Sequence, residues 1–483
     1  MLADHEAMAA PALECAENAG ASYADVRIVE ERERTIGVRL GEVGQIRQSE
    51  SLGTGVRVLV DGAWGYAAAP DPTSDNVLAL CQRALAQARA SATARPEPVV
   101  LAPNVAARGS WQSPFKEDPF EMSLDQQFAT LFEADAVLRR APEIRSTSGQ
   151  MSFIRERQCL FTSDGTAVEQ DALRSGAGIA ATAVGAGEVQ TRSYPAAFGG
   201  QYLQGGYEVV RSFDLVGNAE RVREEAVELL SAPQCPAGVH DLVLGGSQLA
   251  LQIHESVGHP NEFDRVLGFE ADMAGRSFVT PEKRNTFVYG SPIVNLVADC
   301  TLPGGLSTFG WDDDGVAAQR WHVVEDGVHR NYLTNREFAT RLGDAASFGA
   351  NRAQGWAYPP QIRIPNLSLM PGSGAPEDLV AGIAHGFFLD TVKTWSIDQM
   401  RLNFQFTCEI AHEIKDGELG AIYKNPTYQG ITPAFWGSCD GIAGPEHWVP
   451  WGVPNCGKGQ PMQVAEMSHG CAPARFRAVT FVA

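Results

Sequence analysis

The segment Gly245-Gly-Ser-Gln-Leu-Ala-Leu-Gln-Ile-His-Glu-Ser-Val-Gly-His-Pro260 sets His254 and His259 five residues apart, and no other stretch of the chain constrains its own folding so tightly. At about 100° per residue, positions i and i+4 of an α-helix lie roughly 40° apart, whereas i and i+5 lie about 140° apart. Two such histidines cannot share one face of a regular helix, so both reach a common ion only if the helix breaks. Gly258 tolerates unusual backbone angles and Pro260 cannot continue a helix without losing a hydrogen bond, so breakers sit where they are needed. Upstream, Val239 to Leu244 reads as a strand, and Ser247 reads as the cap of a helix whose Leu249, Ile253 and Val257 face a core. His254, Glu255 and His259 then form H-E-x-x-x-H, one residue longer than the HExxH of ordinary zinc peptidases.

Catalytic zinc takes three protein ligands and an open position, so two histidines are not enough. Glu262, Asp264 and Glu270 are local oxygen candidates for the third. Cys456 is a distant one, in Pro454-Asn-Cys-Gly-Lys-Gly-Gln-Pro461, where glycines leave the thiol accessible and Lys458 favours its thiolate. His412-Glu413 repeats the HE pair but falls in a strand running into an Asp416-Gly417 turn, without a second ligand at usable spacing. Cys408, Cys439 and Cys471 match no zinc-ribbon spacing and read as buried thiols. The acidic run Asp312 to Asp314 reads as a polar turn, with binding of a cation or a substrate amine as the alternative. Arg265, Arg320 and His322 are candidates to stabilise an oxyanion, and the sequence does not choose among them.

Charge narrows the function classes. Thirty-eight Lys and Arg against 58 Asp and Glu give a net charge of −20, with no basic run to grip nucleic-acid phosphates or an anionic membrane. No stretch is long and apolar enough to span a bilayer, and the first twenty residues lack a signal-peptide pattern, so a cytoplasmic location is expected. Nine cysteines without a CxxC pair fit that reducing compartment.

The first half alternates strands and helices. Tyr23 to Val29 and Thr35 to Val38 look extended, and Thr54 to Val60 alternates before an Asp61-Gly62 turn. Helices are predicted after Ser74, from Ser123 with Leu131 and Leu138 on one face, and from Asp214 towards Leu230. Two prolines and a glycine between Ser231 and Gly238 mark a boundary, beyond which turn signals punctuate β-branched and aromatic runs. The expected fold class is α+β: an α/β N-terminal domain, residues 1–234, followed by a β-rich catalytic domain, residues 235–483. The glycine-rich pieces at 176–187 and 199–206 lack the setting of a nucleotide-binding motif.

Taken together, several pieces resemble the TldD branch of the TldD/TldE (PmbA) metallopeptidases over nearly the whole chain. They are Gly55-Val-Arg-Val, Gly62-Ala-Trp-Gly-Tyr66, the HESVGH segment, Asp312-Asp-Asp-Gly-Val-Ala-Ala-Gln-Arg320 with Glu325-Asp-Gly-Val328, and Asn455-Cys-Gly-Lys458. The resemblance implies zinc held by His254, His259 and Cys456, with Glu255 as the general base that takes a proton from water and passes it to the leaving amine. A thiolate among the ligands implies a weaker Lewis acid and modest turnover. The implied substrates are unfolded or extended peptides, cleaved in leader removal or small-protein turnover. The implied assembly is a homodimer or a heterodimer with a TldE-like chain. The alternative is a zinc-containing binding or regulatory subunit, inactive without such a partner. A zinc amidase acting on small molecules is a third reading.

Overall fold

The computed structural model describes residues 2–94 and 97–482. An eight-stranded sheet organises the first half. Side by side run Ala63–Pro70, Glu42–Val60, Tyr23–Arg39, Ile144–Thr162 and Ala167–Gly185, each antiparallel to its neighbour, with Arg108–Gln112 parallel to the start of the last. Glu188–Tyr194 and Gln201–Gln204 pair farther along Ala167–Gly185. The Asp61-Gly62 turn has positive φ at both residues, 49° and 72°, as a tight hairpin requires. The two extended segments expected between Tyr23 and Val38 form one continuous strand.

Helices cover one face of this sheet. Val26 and Ile28 pack on helices Leu2–Asn18 and Ser74–Ala92, while Ile36 and Val38 pack on Leu124–Leu138 and Leu215–Glu228. Alternation in a strand makes these even-numbered residues one face and leaves Asp25 and Arg27 on the other. Ser123 and Asp214, the expected starts of their helices, act as caps, accepting from the N–H groups of Gln126 and Gly217. In the helix after residue 72 the cap is Thr73, with Ser74 already inside. The first helix was not foreseen: its buried stripe is Ala9, Ala12 and Ala16, small residues that hardly mark an apolar face.

The second half is strand-rich, and none of its described α-helices exceeds eight residues. Five strands pair in a closed ring: His385–Ile397, Gly238–Leu244, Ala474–Val482, Thr427–Ile431 and Asn403–Lys415, which returns to the first. The Asp416-Gly417 turn carries Asn403–Lys415 into Glu418–Lys424. Outside the ring lies a two-stranded ribbon, Val449–Lys458 with Gln463–Cys471. Among the described residues, no helix is long and apolar enough to cross a membrane.

The acidic turn at 312–314 joins the halves. It is not a solvated turn: all three aspartates are buried, and the uncovered face of the first sheet meets them. Arg27 reaches Asp313 at 3.1 Å, Gln158 donates to the same carboxylate at 2.7 Å, and Arg57 bridges Asp25 and Asp314 at 2.7 Å each. Farther along, Arg192 pairs with Glu409 at 2.8 Å. Buried pairs add little net stability over apolar packing, but removing one partner strands a charge and costs about 3–5 kcal/mol. Arg57→Leu, which leaves Asp25 and Asp314 facing each other, should lower the urea midpoint by the equivalent of about 3–5 kcal/mol; an unmoved midpoint would show that the turn does not fasten the two halves.

Candidate metal centre

The strand Gly238–Leu244 feeds directly into helix Gly246–Ile253, capped at Gly245 without a side-chain bond, so Ser247 is not the cap. Ser247 instead donates to Asp390 at 2.9 Å. At His254 the chain does not break. It widens into one π turn, His254–Gly258, closed by the His259 N–H donating to the His254 carbonyl. An i+5 bond widens the turn towards the spacing of the histidines and brings both rings to one side, edge to face. Their ring centroids lie 4.7 Å apart.

The two breakers act differently from expectation. Gly258 has an ordinary helical φ of −61°, and what excludes a side chain is space, since a Cβ there would sit 2.7 Å from Ile364. Pro260 has no N–H for the carbonyl of Ser256, four residues back, and the Tyr289 hydroxyl donates to that carbonyl instead. The next carbonyl, Val257, accepts from the Asn261 side chain at 2.7 Å. The helix is buried except at Gly246 and Leu251 and is held by a polar ladder along one edge. Gln248 donates to Tyr428, whose hydroxyl donates to Gln252, which donates to Ser256, at 2.9, 3.0 and 3.1 Å.

His254, His259 and Cys456 are all buried and bring one donor atom each to within 4.8 Å of one another. The Cys456 sulfur lies 3.5 Å from His259 Nε2. Tetrahedral zinc, with bonds of about 2.0–2.1 Å to nitrogen and 2.3 Å to sulfur, needs an N···S edge of roughly 3.6 Å. The donor chemistry therefore suits a metal, and the edge between His259 and Cys456 matches the spacing zinc needs.

Hydrogen bonds behind the rings fix which nitrogen faces forward. His469 Nδ1 sits 2.8 Å from the Leu367 carbonyl and must carry a proton there; burial holds this ring's pKa well below the ordinary histidine value, so it is neutral. His469 Nε2 is then an acceptor, and His254 Nδ1, 2.8 Å away, donates to it. His259 Nδ1 donates likewise to Glu262 at 2.8 Å. Both Nε2 lone pairs are left for an ion. Burial raises the Cys456 thiol pKa, but the His259 ring and Arg363 outweigh it, and the net shift is downward.

Lys458 is not the cation beside this sulfur. Its ammonium is buried against Asp264 at 2.7 Å, Glu262 at 3.4 Å and Glu270 at 3.5 Å. Arg265 completes that cluster, 3.0 Å from Glu270. Glu262, Asp264 and Glu270 thus support the site from behind, and Glu262 enters it only through His259. With three carboxylates on two cations, burial pushes Glu270 up to about 7.

A cavity of about 350 Å³ opens over the donor atoms. Glu255 lines it, with Trp395 Nε1 donating to one carboxylate oxygen at 3.0 Å and Arg401 to the other at 2.8 Å. Burial raises the Glu255 pKa, yet the two histidines and Arg401 bring it below the usual glutamate value. Trp395, Arg401 and His469 escaped the sequence reading, since nothing in their spacing ties them to the H-E-x-x-x-H segment. Arg320 and His322 lie outside the cavity, near Asp299 and Glu325, and Arg265 belongs to the Lys458 cluster. His412 lies in the strand Asn403–Lys415 and is not part of the donor group; Cys408, Cys439 and Cys471 are buried, with burial pushing the Cys439 thiol to about 12.

Residues 237–477 match the PmbA/TldA metallopeptidase C-terminal domain, and residues 24–88 match PmbA/TldA metallopeptidase domain 1. A metalloprotease of Methanocaldococcus jannaschii is 26% identical over 409 residues, 84% of this chain and 86% of that protein. A zinc metalloprotease TldD homolog of Saccharolobus solfataricus is 23% identical over 224 residues, 46% of this chain and 47% of that protein. The crystal structure of TldE from Thermococcus kodakarensis shares the fold, with a TM-score of 0.74 at 16% identity, covering 98% of this chain and 99% of that one. With both regions matched and a donor set suited to a metal at the centre of the larger one, the chain belongs to the TldD/PmbA family of metallopeptidases.

Proposed function

We propose that the protein is a zinc-dependent peptidase acting on unfolded or extended peptides. One observation carries this: three metal-type donors and a carboxylate outside that donor set, Glu255, meet in a single cavity. The zinc would be held by His254, His259 and Cys456, and when bound it supplies Lewis acidity towards water and the scissile carbonyl. Glu255 acts as general base. Each of its oxygens has two lone pairs, so with Trp395 and Arg401 engaged it still accepts a proton from water, then delivers it to the leaving amine nitrogen.

Residues 1–234 would serve assembly and substrate access, and 235–483 catalysis. The fold it shares with TldE, over nearly its whole length, supports a pairing with a TldE-like chain, with a homodimer as the other arrangement. The nine cysteines, all free, favour a cytoplasmic setting. Strand-rich walls suit extended peptides, whose backbone adds to a sheet edge. Leader removal or turnover of small proteins is the physiological role this chemistry serves.

Glu255→Gln should retain zinc and lose cleavage of casein fragments by roughly 10²–10⁴-fold; undiminished cleavage would remove the assigned base. Cys456→Ser should lower zinc occupancy measured by elemental analysis after dialysis, and equal, tight zinc in both proteins would remove the third ligand. His469→Ala should weaken zinc affinity by about 10–100-fold in a chelator competition, because His254 loses the partner that orients it; unchanged affinity would refute that role.

A further inference from the structure

One loop that lines the cavity comes from the first half of the chain. It runs between the strands Glu188–Tyr194 and Gln201–Gln204 and contributes Ala196, Ala197 and Phe198 to the lining. Phe198 adopts a φ of +55°, a left-handed conformation that a bulky aromatic residue rarely takes. The loop's base holds it there. Gly200, at φ +102°, lies so close to the strand beneath that a Cβ would meet the Ala177 carbonyl oxygen at 1.9 Å, and a Cβ on Gly178 would meet the Gly200 Cα at 2.4 Å. Strain of this kind persists where the surroundings over-determine it, and it concentrates at ligand clamps.

The ring so placed is 54% exposed and stands edge-on to Trp395, itself 44% exposed, with centroids 5.4 Å apart at 71°. Trp395 cannot drift, because its indole N–H is committed to Glu255. The apolar surface of this pair is therefore fixed beside the proposed general base. Leu251, Val392 and Trp451 extend the same wall, and Arg401 within the cavity is paired with Glu255 at 2.8 Å.

We propose that Phe198 and Trp395 form a subsite for a bulky apolar, best an aromatic, side chain of an extended peptide, next to the bond that is cut. The inference rests on the peptidase reading and adds a substrate preference to it. Aromatic surface of this size is the usual anchor of a desolvated recognition pocket, and edge-on geometry leaves a face on which a third ring can stack.

Two decapeptides of Ala, Gln and Ser that differ only in a central Phe or Ser test this with the zinc-loaded full chain. The Phe peptide should be cleaved with roughly tenfold higher kcat/KM, the cut falling within about two residues of the Phe by mass spectrometry. Phe198→Gly, which suits the positive φ, should bring the ratio close to one by raising KM for the Phe peptide. Phe198→Tyr, which keeps the ring, should preserve it. A ratio near one in the parent protein, or one unmoved in Phe198→Gly, overturns the subsite. Anisotropy of the same peptides, fluorescein-labelled, on Glu255→Gln separates the two claims. Selective capture of the Phe peptide with no cleavage by the parent protein would sink the peptidase and keep the subsite. Equal binding of both peptides, or binding of neither, sinks the subsite.

Discussion

A single backbone hydrogen bond, from the His259 N–H to the His254 carbonyl, organises the centre of this molecule. Because it spans five residues, it turns an H-E-x-x-x-H spacing that would fail on an α-helix into two rings on one side of one turn. The cost of a widened turn is a set of backbone groups without their ordinary partners. Tyr289 and Asn261 meet that cost at Ser256 and Val257, and the small residue at Gly258 makes room for Ile364. Each of these residues makes sense only when the five-residue turn is taken as given.

Around that turn the protein separates two kinds of charge. In front, His254, His259 and Cys456 present lone pairs to a cavity. Behind, Lys458 and Arg265 pair with three buried carboxylates, one of which steadies His259. Keeping the ammonium with the carboxylates leaves the sulfur facing the His259 imidazole, with Arg363 as the cation that favours its thiolate. The first half contributes at a distance, through arginines that seize the 312–314 turn and through the loop bearing Phe198.

Much of this was legible along the chain, for physical reasons that differ from residue to residue. The H-E-x-x-x-H segment, Gly258 and Pro260 sit together, so the need for an irregular turn could be read locally; that the irregularity is a widening and not a break depends on Tyr289 and Ile364, which lie far off in sequence. The caps Ser123 and Asp214 show themselves because capping is a three-residue affair. Cys456 was one of four open candidates on its own residues, and it was singled out by family likeness. Lys458, two positions away in a regularly paired stretch of the same strand, was misjudged because the carboxylates that hold its ammonium, Glu262, Asp264 and Glu270, lie far upstream in sequence. His469, Trp395 and Arg401 act on partners 140 to 215 positions distant, and no local pattern records such a contact.

The ladder Gln248, Tyr428, Gln252, Ser256 gives the central helix a property that oily packing alone does not. An apolar helix in an apolar sleeve can slide or rotate at small expense, since one greasy contact resembles the next. Here a screw motion of one residue swings every rung by about 100° and orphans the whole chain of donors and acceptors together. The helix consequently behaves as a keyed shaft, and the angular bearing of both imidazoles is set by rungs at Gln248, Gln252 and Ser256, the last of them lying between the two histidines.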